Sequence, residues 1–231
     1  MQVSIIPFTV HKQVALTISR GTTTDSANLW IRLEADGIEG WGEAASFSIG
    51  TTTQTTNQLL QELTDLMPVL RSLHPLERQR MEPLLCQVSS AVRAAIDVAL
   101  HDWLGKRAGL PLWQLWGLDR QQIGPTAATV GINTPEKACD RLHKWMAQVP
   151  SIQSFKIKLG SPQGIQTDQA MMTALLDEIP AGTKISIDAN GGWDLDAASR
   201  MSDWLAERGV TYIEQPLPVA LDDQLGELSA R

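Results

Sequence analysis

The sequence predicts an α/β protein, an α+β region followed by parallel βα units. Three short apolar runs carry charged residues at their ends: Phe155-Lys156-Ile157-Lys158-Leu159-Gly160, Ile185-Ser186-Ile187-Asp188-Ala189-Asn190-Gly191-Gly192 and Tyr212-Ile213-Glu214-Gln215-Pro216. Lys158 and Asp188 stand 30 residues apart, and Asp188 and Glu214 stand 26 apart, a rhythm that suits one strand, one helix and its loops per step. Nearer the N-terminus, Leu29, Ile31 and Leu33 alternate with Trp30, Arg32 and Glu34, the period of a half-buried strand.

In chain order, residues 3–45 read as strands and turns, with apolar Val14-Ala15-Leu16-Thr17-Ile18 and a hairpin turn at Asp36-Gly37. From Thr55 the period becomes helical through Leu59, Leu60, Leu63, Leu66, Met67 and Leu70, with Pro68 expected to disturb it. A second helix is capped by Ser89 or Ser90, buries Val92, Ile96, Ala99, Leu100, Trp103 and Leu104, and ends at Gly109 and Pro111. Trp103, Trp113 and Trp116 are expected in the core. Residues 126–132 form a strand, and Thr134-Pro135 opens a helix by a cap and an N1 proline. Ser161-Pro162 is expected to open the next helix in the same way, and Asp194 to cap the one after. A strand end followed each time by a helix start is the repeating unit of a (β/α) barrel. The expected division is 1–120 for the α+β part and 121–231 for the βα part.

Composition narrows the function classes. The 231 residues are 43% hydrophobic with a net charge of −7, which speaks for a globular protein and against nucleic-acid or anionic-membrane binding, since no long basic run offsets the acidic balance. Cys86 and Cys139 are too few for a disulfide framework or a zinc site and suit a reducing, cytoplasmic location. The N-terminus lacks a signal-like pattern, and no apolar run of 18 residues occurs. A small-molecule partner is the expectation.

The chemistry concentrates at the strand ends. With period two, Lys156 and Lys158 share one face, about 6.5 Å apart at roughly 3.3 Å per residue. Neighbouring parallel strands lie about 4.8 Å apart, so Asp188 and Glu214 can grip one cation between them, and hard oxygen ligands with open positions favour Mg²⁺. A lone Lys-x-Lys is usually a solvated face. Here apolar Phe155 and Ile157 line the opposite face, and parallel barrel strands rarely have a solvent side. Asn190 either takes up a left-handed turn or contacts a metal-bound ligand. His11, His74, His101 and His143 are scattered without ligand spacing.

Lys-x-Lys, Asp-x-Asn-Gly and Glu-Gln-Pro, in this order and spacing, resemble the enolase superfamily in its muconate-lactonizing and mandelate-racemase branch. The resemblance implies an N-terminal α+β capping domain followed by a TIM-like (β/α) barrel. Gly40-Trp41-Gly42-Glu43-Ala44 is similar to a capping-domain strand, and residues 20–24 and 47–50 fall where two substrate-covering loops lie. It also implies a Mg²⁺ enzyme that removes a proton α to a carboxylate and stabilises the enediolate. Lys158 would be the base, Lys156 a neighbour that lowers its pKa by like-charge repulsion, and Asp188 and Glu214 metal ligands. Arg20 would either pair with a substrate carboxylate or stand on the surface.

The segment from Ile18 through Phe47 is most similar to dipeptide epimerases of the L-Ala-D/L-Glu type, so the expected substrate is a dipeptide or an amino-acid derivative. An o-succinylbenzoate synthase or a muconate cycloisomerase would share this half-site. On the same resemblance the sequence carries four barrel strands of eight. A third acidic ligand, an opposing base and the last substrate-reading strands are then expected outside it. The contrasting expectation is a catalytically silent fragment that self-associates as a homo-oligomer, or binds a partner chain, through open sheet edges.

Overall fold

The computed structural model describes residues 1–50 and 52–229. It is a mixed α/β chain of two compact units, one comprising Met1–His11 and Asp25–Ile123, the other Lys12–Thr24 and the chain from Gly124 onward.

In the first unit β1 (Gln2–Ile18), β2 (Gly21–Ala35) and β3 (Ile38–Ala45) form a sheet in that order, with the tip of the β1–β2 hairpin belonging to the second unit. Asp36 and Gly37 join β2 to antiparallel β3, both at left-handed φ (54° and 73°), as a two-residue hairpin of this composition requires. Leu29, Ile31 and Leu33 are fully buried, so the alternation in the sequence does mark the core face. A short hairpin, β4 (Phe47–Ile49) and β5 (Thr52–Gln54), follows. The two segments expected as loops are therefore largely strand: β2 begins at Gly21, and β4 occupies Phe47–Ile49.

The helices of this unit are α1 (Thr56–Arg71), α2 (Arg78–Leu85), α3 (Ser90–Ala108) and the short α4 (Leu112–Leu115). Thr55 caps α1 by accepting the Gln58 N–H. The helix continues through Pro68, because Leu59, Leu63 and Leu70 lie in the core on either side of it and hold the last turn in place. The sequence reading missed α2, a single eight-residue helix with Pro83 inside it and no long apolar stripe. Ser89 is the N-cap of α3 but makes no side-chain capping bond; Gln54 Oε1 accepts the Ala91 N–H (3.1 Å) and Glu62 the Ser89 N–H (2.9 Å). Trp103 is buried, as expected. Trp113 and Trp116 are not, at 38% and 54% exposed, because α4 buries no residue of its own; the Trp116 ring stands edge-on to His101.

The β3 glycines have a packing reason. A Cβ at Gly42 would fall well inside contact distance of the Ala95 carbonyl, and one at Gly40 would lie 2.7 Å from Trp103 Cβ. Only a strand without side chains here lets α3 lie directly on the sheet.

In the second unit, β6 (Ala128–Val130), β7 (Ser154–Lys158), β8 (Lys184–Asp188) and β9 (Ile213–Glu214) form a parallel sheet in sequential order. The helices α5 (Pro135–Gln148), α6 (Ile165–Glu178) and α7 (Leu195–Ala206) alternate with these strands, and a 3₁₀ segment, Val219–Gln224, leads into α8 (Leu225–Ser229). This is a partial (β/α) barrel. Phe155, Ile157 and Ile187 share one core with Leu142, Met172, Leu175 and Met201 from the helices, so the opposite face of β7 carries the lysines. Thr134 and Asp194 cap α5 and α7 as expected. Ser161-Pro162 does not open α6; that helix starts at Ile165, because Gly164 stands at φ +98°, outside the helical region, and interrupts the turn that Ser161 and Pro162 begin. No helix among the described residues is long and apolar enough to cross a membrane.

Candidate active site

Parallel pairing sets Lys158 opposite Asp188 and Asp188 opposite Glu214, so three charged residues form one row at the carboxyl ends of β7, β8 and β9. Lys156 lies one row lower, opposite Ser186, on the same face of β7 as Lys158. Lys158 Nζ donates to Asp188 Oδ2 (2.6 Å), which also lies 3.1 Å from Lys156 Nζ, while Lys156 donates to Glu214 Oε2 (2.8 Å). The Asp188 side chain is 2% exposed, Lys158 12% and Glu214 43%, so the centre of the row is dry and its Glu214 end is wet.

Burial pushes the Asp188 carboxyl up, but hydrogen bonds from Lys158, Lys156 and the Asn190 N–H outweigh it and hold the group below the ordinary aspartate value. For Lys156, burial pulls the ammonium down while Glu214 and Asp188 pull it up, and the carboxylates win. Lys156 is thus a firmly charged group. Asp188 Oδ2 lies within 3.1 Å of both ammonium groups.

Asn190 has φ +48°, the left-handed turn; its N–H donates to Asp188 Oδ1 (2.9 Å), and its Oδ1 is buried without a donor. Its carbonyl accepts from Arg20 Nη1 (2.7 Å) and Ser19 Oγ (2.9 Å). Arg20 therefore grips the turn after Asp188. Gln215, directly after Glu214, also has positive φ (43°), and its carbonyl accepts the Gly191 N–H (2.8 Å). Non-glycine residues in this region are uncommon and persist where the surroundings enforce them.

Among the described residues no three His, Cys, Asp or Glu side chains converge on one point. Asp188 and Glu214 with the unpartnered Asn190 Oδ1 nevertheless supply only hard oxygen, a donor set that fits a small divalent cation retaining much of its water. His11, His74, His101 and His143 lie elsewhere: His11 pairs with Asp25, His74 with Asp36, His101 with Asp97 and His143 with Glu178.

Sequence reasoning missed Asp168, 1% exposed in the first turn of α6. It accepts the N–H groups of Gly160 (2.9 Å) and Ser161 (3.0 Å) and the Trp193 indole N–H (2.9 Å). A signal was present: Asp168, Met171, Met172 and Leu175 share a helical stripe, and a carboxylate on a buried stripe calls for partners.

Residues 2–117 match the family model described as the N-terminal domain of mandelate racemase / muconate lactonizing enzyme, and residues 138–231 match enolase C-terminal domain-like. The chain belongs to the mandelate racemase / muconate lactonizing enzyme family. A hydrophobic dipeptide epimerase of Roseobacter litoralis is 39% identical over 221 residues, 95% of this chain and 62% of that protein. A dipeptide epimerase from Enterococcus faecalis, crystallised with Mg and the dipeptide L-Leu-L-Tyr, superposes with a TM-score of 0.83 at 26% identity, over 94% of this chain and 60% of that one. An N-succinyl Arg/Lys racemase of Bacillus cereus, at 23% identity, shares the fold with a TM-score of 0.87 over 100% of this chain and 64% of that one. The chain spans about three fifths of the length of the curated relatives it matches.

Proposed function

We propose that this chain carries one half of a Mg²⁺-dependent epimerase site that removes the proton α to a carboxylate, with a dipeptide or amino-acid derivative as substrate. A capping domain through about residue 120 would precede the barrel residues that bear the chemistry. The observation that carries this reading is the row Lys158, Asp188 and Glu214, with Lys156 on the same face. Similarity to dipeptide epimerases supports the choice of substrate class.

Lys158 Nζ, in its neutral form, takes the α proton, and general-base catalysis of this kind contributes about 10²- to 10⁴-fold. Lys156 stays charged and offers a fixed positive group beside the substrate carboxylate. Asp188 orients Lys158 through the 2.6 Å bond, and Arg20 and Ser19 hold the turn that follows Asp188. Asp188 and Glu214 would hold the Mg²⁺, which when bound supplies positive charge where the substrate carboxylate gains negative charge.

Proton NMR of dipeptides and N-acyl amino acids in D₂O tests this. The expected result is loss of the α-proton signal with Mg²⁺ and none with chelator; no exchange on any substrate counts against the reading. In Asp188→Asn, Mg²⁺ affinity measured by titration calorimetry is expected to fall at least about 10-fold, since a neutral amide replaces a charged ligand. Unchanged affinity would remove Asp188 from the metal site.

A further inference from the structure

The carboxyl ends of β7 and β8 are joined more closely than strand pairing requires. A Cβ on Gly192 would lie 2.6 Å from both Cα and the carbonyl oxygen of Gly160 and 2.8 Å from Ser19 Cβ, so these segments meet backbone to backbone. Leu159 N–H donates to the Asp188 carbonyl (3.1 Å) and Ala189 N–H to that of Glu214 (3.1 Å). Asp168 sits behind this junction. One carboxylate accepts from Gly160 and Ser161, which follow Lys158 by two and three residues, and from Trp193, five residues after Asp188.

The partners are all N–H donors, which satisfy the lone pairs without bringing a countercharge. Burial accordingly pushes the Asp168 carboxyl above the ordinary aspartate value despite the three bonds. An apolar side chain in this position of the stripe would fill the core without that cost. What an apolar residue lacks is the ability to bind both loops at once.

We propose that Asp168 is a positioning residue: by tying Gly160 and Ser161 to Trp193 it holds the ends of β7 and β8 in register, and so sets Lys158 against Asp188 and the substrate α carbon. The proposal rests on the assignment of Lys158 as base. Displacing a reacting group by about 1 Å costs about 10²-fold in rate.

The test uses the full chain with Asp168→Ala, Asp168→Asn and Trp193→Phe, reading kcat and KM of α-proton exchange separately, together with amide hydrogen exchange. In Asp168→Ala, kcat is expected to fall about 10²-fold with KM within about 3-fold. The Leu159 and Ala189 amides are expected to exchange at least about 10-fold faster while Ala138 in α5 is unchanged. Asp168→Asn keeps one acceptor oxygen and should restore part of kcat. Trp193→Phe keeps a ring and removes one donor, with an expected loss of about 3- to 10-fold, and it carries the test if the Asp168 variants do not fold. Unaltered Leu159 and Ala189 exchange in a folded variant would overturn the proposal. So would faster amide exchange with kcat intact, since Asp168 would then serve the fold alone. If the unsubstituted chain shows no α-proton exchange, the epimerase reading fails, and the amide measurements by themselves decide whether Asp168 holds the register.

Discussion

Lys158→Ala is expected to lower the rate of α-proton exchange by about 10³-fold or more, because it removes the nitrogen that lies 2.6 Å from Asp188 at the end of β7 and that serves as the proposed base. The proposed metal ligands, Asp188 and Glu214, should be spared. Asp188 keeps Lys156 and the Asn190 N–H as partners, and losing one ammonium group beside it removes a competitor for a cation. Mg²⁺ affinity is therefore expected to be unchanged or tighter by titration calorimetry. Lys158→Arg separates charge from basicity: a guanidinium can still pair with Asp188 but remains protonated, so the fold should be preserved and exchange still lost. Deuterium incorporation followed by proton NMR on both variants, with circular dichroism to confirm folding, makes the comparison. Retained exchange in either variant would place the base elsewhere.

Gly42→Ala is expected to destabilise the first unit severely. The added carbon meets the Ala95 carbonyl oxygen and the Ala99 amide, which are backbone atoms of α3 and cannot rotate away as a side-chain tip would. Relief requires α3 to lift from β3, uncovering Ala95, Ile96 and Ala99, all fully buried. Overpacking of this kind typically costs about 1–3 kcal/mol, and with no flexible neighbour the expected loss is about 3 kcal/mol or more. Gly124→Ala is the control, since nothing stands within 4 Å of its added carbon. Urea unfolding of both compares them directly. A Gly42→Ala midpoint equal to that of Gly124→Ala would mean that the strand and helix are less tightly apposed than their backbones imply.

Neighbouring residues by themselves determined the local features. Alternation placed Leu29, Ile31 and Leu33 in the core, Asp36-Gly37 turned the hairpin, Thr134 and Asp194 started helices, and the strand rhythm ordered Lys158, Asp188 and Glu214 along the chain. Each depends on side-chain direction or capping within a few residues, so each is written in a short window. Ser161-Pro162 shows the limit of such windows. It has the form of a helix start, yet Gly164 at φ +98° breaks the turn, and α6 begins at Ile165 instead.

Register and buried partnership were decided only by the tertiary structure. Period two says which face a lysine takes, but not that Lys158, Asp188 and Glu214 fall in one row. Nor does any local pattern say that Arg20 and Ser19 grip a carbonyl about 170 positions away, that Gly160 and Gly192 touch, or that one carboxylate on α6 ties two loops. Such pairings are settled by close packing of distant segments, where the cost of burying an unpaired polar group selects the one arrangement that satisfies it.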